Sequence, residues 1–291
     1  MWKMKKWMIS LLAMLTIFML AGCRTSQTKT KKSVDKTTTS TQQKKVTPLK
    51  SSTPTVFIHG YGGTVNSFGG MIQRLEKAGE TKKELVITVE ADGTLQVEGQ
   101  LNQEKVNPSV QVLFAANQDN EWNQTEWIYT VLKYLKQAGA DQVNLVGHSM
   151  GGVSSLRYLT TYGQPTDASN VQRLIAIGAP FNDFTDTATE QTVDELLQNG
   201  PSQQSSRYTD YRSGVTNIPV TTTFLLIAGK ADDQATSDGT VPLTSALAPY
   251  ALLKAHGNQV TEQIFTGQQA QHSQLHENSA VDKAVIKFLW R

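Results

Sequence analysis

The chain has 291 residues, of which 38% are hydrophobic, enough for one large domain or two small ones with a substantial core. Its formal net charge of +2 conceals a division: residues 1–50 carry 11 Lys and Arg against the single acid Asp35, so the remaining body is acidic, with 16 Lys and Arg against 24 Asp and Glu. The body is acidic and its sequence shows no run of basic and aromatic residues, so nothing points to nucleic-acid recognition, and a single cysteine, Cys23, excludes any internal disulfide.

Residues 1–22 read as a signal peptide, with Lys3, Lys5 and Lys6 ahead of an apolar run from Trp7 to Leu20 and small residues after it. The run LAGC, Leu20 to Cys23, resembles the bacterial lipobox, in which cleavage leaves the cysteine as a lipid-bearing first residue. That resemblance implies lipid attachment at Cys23 and a place on the extracytoplasmic face of the membrane. An uncleaved membrane anchor is the alternative, for which the apolar run is short. Residues 23–52 hold mostly Thr, Ser, Gln and Lys and cannot bury enough surface to offset chain entropy, so a disordered basic tether is expected there.

From residue 53 onward, apolar runs of strand length alternate with amphipathic stretches of helix length, the pattern of an α/β fold with a mostly parallel sheet. A strand over 55–60 ends in the turn GYGG, and a helix over 67–79 places Met71, Leu75 and Ala78 on one face, with Gly79 as its stop. Two alternating runs over 84–101 flank Asp92-Gly93, a hairpin that belongs to a sheet edge or an insertion. A strand over 110–117, a helix over 121–139 with Ile128, Val131, Leu132 and Leu135 on one face, and a strand over 142–147 follow. Next come a helix over 151–163 and a strand over 171–181. The polar stretch 182–217, with one helix over 192–200, has the length of a small lid or cap. Strands over 220–229 and 259–267 flank an apolar segment at 244–257, and a helix over 280–290 closes the chain. There are no internal repeats.

The stretch VNLVGHSMGG, 143–152, contains Gly147, Ser149 and Gly151 as G-x-S-x-G between a strand and a helix. On such a turn small neighbours let the chain pass, and the serine hydroxyl stands clear of the sheet at the helix N-terminus. A Gly-Ser turn without chemistry is the competing reading. To act as a nucleophile the serine needs a base oriented by an acid, in the chain order Ser, acid, His. Of the five histidines, His148 in the turn would point away from the serine's target, His59 precedes a glycine turn and His256 lies in the apolar 244–257 segment. His272 and His276 lie between the last strand and the last helix, where the base is expected. Asp238, in SDGTVP, lies on a loop beyond the C-terminal end of a strand, with Asp232 and Asp233 as rivals. The i, i+4 spacing of His272 and His276 beside Glu277 lacks a third ligand, so no metal is expected.

Together, FIHGYGG, GHSMGG, GAPF, SDGTVP and HSQLHEN…FLW resemble the α/β-hydrolase superfamily, in wording closest to the DUF915-type lipoprotein-like cell-surface hydrolases of Gram-positive bacteria. The resemblance spans 53–291. It implies an α/β-hydrolase fold with a hairpin insertion and a cap near 182–217, Ser149 as nucleophile and Asp238 as acid. It also implies His272 as base, because hydrolases of this superfamily often carry the base five residues before a Glu-Asn pair, here Glu277-Asn278; His276 is the alternative base. The N–H groups of Met150 and Tyr61 would form the oxyanion hole. The implied activity is cofactor-free, esterase- or lipase-like cleavage of a small-molecule or lipid-like ester, with amide or peptide hydrolysis in wall turnover, or binding without catalysis, as alternatives. The absence of an obvious calcium cluster and the modest, polar 182–217 segment argue against long-chain triglycerides.

Overall fold

A computed structural model describes residues 50–291; the expected signal peptide, Cys23 and nearly all of the tether lie outside the described residues. Strand β1 (Thr55–Ile58) leads into α1 (Val65–Lys77), which starts two residues ahead of the apolar pattern. Thr64 is the reason. Its hydroxyl accepts the Asn66 N–H, and Ser67 Oγ accepts the Thr64 N–H in return, satisfying N–H groups that a helix start leaves unpaired. Strands β2 (Lys82–Val89) and β3 (Leu95–Gly99) form the expected hairpin, and its antiparallel register places it at a sheet edge.

After β4 (Pro108–Phe114), Asn120 caps α2 (Glu121–Gln137). Strand β5 (Gln142–His148) then runs through Ser149 into α3 (Met150–Tyr162). Strand β6 (Asn170–Ile177) is shorter than the apolar run suggests, because Gly178 takes φ 57° and turns the chain into β7 (Phe181–Phe184), outside the main sheet. Helices α4 (Val193–Asn199) and α5 (Ser206–Gly214) precede β8 (Thr223–Lys230). Helices α6 (Leu243–Ala246) and α7 (Pro249–His256), strand β9 (Val260–Thr266) and α8 (Ser279–Trp290) complete the chain.

Eight strands form one sheet in the order β3-β2-β4-β1-β5-β6-β8-β9, parallel throughout except for the β2–β3 pair. The central strands are buried on both faces, which is why they read as continuous apolar runs. Their side chains still alternate. Val56, Ile58, Leu145, Leu174 and Leu226 point into a core shared with α2 and α3, while Phe57, Val146, Ile175 and Ile227 point into a second core with α1 and α8.

Segment 182–217 contributes Leu196, Tyr208 and Tyr211 to the first core. A charge network fastens it there. Glu121, at the start of α2, is 2% exposed; Oε1 accepts from Arg157 of α3 and Oε2 from Arg207 of α5, and Arg207 Nη1 also donates to Pro180 O at 2.8 Å. Removing the carboxylate would leave two largely buried guanidinium groups with only the more exposed Asp210 and Asp183 as counter-charges. Glu121→Ala is therefore expected to cost about 3 kcal/mol, the low end for a broken buried pair, in urea unfolding of the full chain; a loss below about 1 kcal/mol, the usual size for a surface pair, would show that the network contributes little.

Candidate active site

Ser149 sits at the hinge between β5 and α3 with φ 53° and ψ −123°, a positive φ that non-glycine residues rarely adopt. Its N–H donates to Ile177 O of the neighbouring strand at 2.9 Å, which holds the turn to the sheet. The following helix passes so close to β1 that a Cβ on Gly151 would lie 2.3 Å from Ile58 O and 2.5 Å from His59 O. Only glycine fits there, and the close approach brings the start of α3 against the end of β1.

Two loops from beyond the sheet reach this turn. The loop after β8 brings Asp238, whose side chain is 1% exposed and whose Oδ1 accepts the N–H groups of Thr240 and Val241 at 2.9 and 2.7 Å. The loop after β9 brings His272. Its N–H donates to Asp238 O at 2.9 Å, Nδ1 lies 2.7 Å from Asp238 Oδ2, and Nε2 lies 3.0 Å from Ser149 Oγ. Gly178 lies under the pair: a Cβ there would stand 3.1 Å from Asp238 Oδ2 and 3.3 Å from His272 Nδ1. The three side chains thus form one hydrogen-bonded line, the arrangement in which an imidazole can take a hydroxyl proton while a carboxylate keeps it in the required tautomer.

The rivals fall elsewhere. Asp232 is exposed and its Oδ1 accepts the N–H groups of Gln234 and Ala235, a local turn, and Asp233 is exposed beside it. His276 turns to Glu277, with Nδ1 3.0 Å from Oε1. Tyr61 lines a groove of about 400 Å³ beside Ser149, with its side chain exposed; Met150 opens α3, where the first N–H groups of a helix lack partners within it. The groove is otherwise polar, with Thr64, Asn66, Ser67, Ser273 and Glu277 among its walls and no residue of 182–217. No group of three or more His, Cys, Asp or Glu suited to a metal occurs among the described residues.

Three residues outside the Ser149–His272–Asp238 set organise the loops. His148 donates from Nε2 to His272 O at 3.0 Å, and its ring lies against both His272, tilted by 43° at a centroid distance of 4.6 Å, and His276, edge-on at 4.7 Å. His59 donates from Nδ1 to Gly60 O at 2.7 Å and accepts the Phe114 N–H at Nε2 at 3.0 Å, so one neutral tautomer ties the Tyr61 turn to β4. Arg74 of α1 binds Glu277 Oε2, Asp282 and His276 O, gripping the histidine loop from three sides. The sequence pattern places neither His148 nor His59 as a base. Their structural work leaves no mark beyond adjacency to the motifs, and Arg74 carries no sequence signal because its partners lie more than 200 residues away.

Burial pushes the pKa values of His148, His59 and His276 down; for His148 the neighbouring imidazoles add to the effect, while Glu277 partly offsets it at His276. Each group then binds fewer protons folded than unfolded below its ordinary value of 6.5, so stability rises with pH in that range. The urea midpoint is expected to fall as pH drops from 6.5 toward the carboxylate range near about 4. His148→Gln should flatten that slope, and an unchanged slope would remove His148 from the account.

The chain matches, over residues 39–291, the model of a family described as α/β hydrolases of unknown function, DUF915. A solved gene product from Listeria innocua is 27% identical, with 81% of this chain and 93% of that one covered and a TM-score of 0.75. A protein provisionally described as a cell surface hydrolase of Lactobacillus plantarum is 26% identical, with 81% and 89% covered and a TM-score of 0.64. No curated protein matches the chain at a significant level.

Proposed function

The chain belongs to the DUF915 family of α/β-hydrolases, and on that premise we propose that it is a serine esterase whose nucleophile is Ser149. The observation that carries the reading is the unbroken line from Ser149 Oγ through the His272 ring to Asp238 Oδ2, at 3.0 and 2.7 Å. Ser149 Oγ attacks the ester carbonyl as His272 Nε2 takes its proton, and the Met150 and Tyr61 N–H groups receive the developing negative charge. Collapse of the tetrahedral adduct passes the proton to the leaving alcohol and leaves an acyl-Ser149. Water then attacks that ester by the same steps in reverse order, with His272 again the base.

The polar, open groove beside Ser149 supports a small or polar ester over a long acyl chain. We assign the chain to the outer face of the cell membrane, held by lipid on Cys23. The lipobox-like LAGC and the description of the Lactobacillus relative support that assignment.

Purified protein should hydrolyse p-nitrophenyl esters, and Ser149→Ala should lower kcat/KM by about 10⁴-fold or more. His272→Ala should be similarly inactive, while His276→Ala, which removes packing against His148 and Phe68 but no contact with Ser149, should retain most turnover. A fluorophosphonate probe should label the wild type and spare Ser149→Ala. Equal ester turnover by wild type and Ser149→Ala sinks the proposal, and loss of turnover in His276→Ala alone moves the base to His276.

A further inference from the structure

A groove of about 1150 Å³ runs along the open edge of the sheet, walled by β9, α7, α8 and the first residues of β8. Its lining takes in the first residues of β8, Arg173 of β6 and the edge strand β9 from Val260 to Phe265, and it shares no residue with the groove beside Ser149. Arg173, Lys254, Lys283 and Lys287 line the groove against a single carboxylate, Glu262. In a body with 24 acids and 16 bases, that is a local reversal of charge. Lys283 and Lys287 lie one turn apart on α8, exposed and without an ion pair to any described residue; between these cations the rings of Phe265 and Phe288 are half-buried.

The chain enters the body beside this face. Ser51 and Thr53 border a cleft that shares Arg173 and Phe288 with the groove. Residues 23–49, the tether that precedes that entry, add seven Lys and Arg against one acid.

We propose that this face is a docking surface for an anionic phospholipid bilayer. The lysines meet headgroup phosphates and the half-buried rings meet the interface, each cation near the surface strengthening binding by about five-fold. A charged tether and a charged face then act on the same bilayer, and the second contact needs no further loss of translational freedom. This surface is independent of the chemistry at Ser149.

The test is lysine footprinting with an amine-reactive reagent on the full chain reconstituted into vesicles of phosphatidylcholine alone or doped with phosphatidylglycerol. Lys105, exposed beyond β3 at the opposite edge of the sheet, is the internal reference. Several-fold protection of Lys283 and Lys287 relative to Lys105 is expected only on the anionic vesicles, vanishing at high salt. The double variant Lys283→Glu/Lys287→Glu, changed only at exposed positions, should lose at least about ten-fold in salt-sensitive partitioning to anionic vesicles while keeping turnover of a soluble ester. Equal labelling on both vesicle types overturns the proposal, as does unchanged partitioning of the double variant. Protection by soluble polyglycerol phosphate without vesicles would assign the face to a wall polymer instead, and protection that rises with protein concentration alone would assign it to a second copy.

Discussion

The backbone of Ser149, held at φ 53°, is the constraint on which the rest of the site depends. A non-glycine residue in such a conformation costs on the order of 1–3 kcal/mol and persists only where its surroundings over-determine it. Here they do so from both sides. The Ser149 N–H is bound to β6, and α3 is pressed onto the end of β1 at Gly151 with no room for a methyl group. The position of the hydroxyl is thus set by the packing of three central strands, β1, β5 and β6, whose C-terminal halves are buried.

A rigid serine is of use only if its partners are equally well placed, and they arrive on loops. The Asp238 loop folds on itself, its carboxylate accepting two backbone N–H groups of its own turn. The histidine loop has little regular structure, and it is held by three external contacts: the Asp238 carbonyl, the buried His148 ring and the Arg74 guanidinium. Arg74 spans the separate elements α1 and α8 and so ties the second core to the site. His148 can donate to the His272 carbonyl while neutral, and its burial among other imidazoles keeps it so. These supports never touch Ser149 Oγ, yet they fix the ring that does.

The 182–217 segment shows how composition can mislead about packing. It is polar along its length, but its two tyrosines and Leu196 reach the core, and Arg207 closes a buried charge network with Glu121. A polar stretch of that length suggests a cap over a site; the groove beside Ser149 draws its walls from the Tyr61 turn, α1 and the histidine loop instead. The cationic edge groove was equally hidden, because its cations come from β6, α7 and α8 and meet only when the sheet is assembled.

Local chemistry determined a great deal. Apolar runs separated by amphipathic stretches specified a parallel sheet covered on both faces, Asp92-Gly93 specified the hairpin, and the strand-turn-helix context of G-x-S-x-G marked Ser149, since each depends on neighbours within a few residues. The order of Ser149, Asp238 and His272 along the chain named the candidates, and resemblance preferred His272. Tertiary structure decided what lies across the sheet: that His272 and not His276 reaches Ser149 Oγ, that Asp238 and not Asp232 or Asp233 faces the imidazole, and that His59, His148 and Arg74 hold the loops. Strand ends, where the apolar run overshot Ile177 or α1 began at a capping threonine, also depended on it. The division has one physical reason: hydrophobic periodicity and turn chemistry act between near neighbours, whereas a hydrogen bond between residues 123 positions apart exists only once parallel strands have brought their C-terminal ends together.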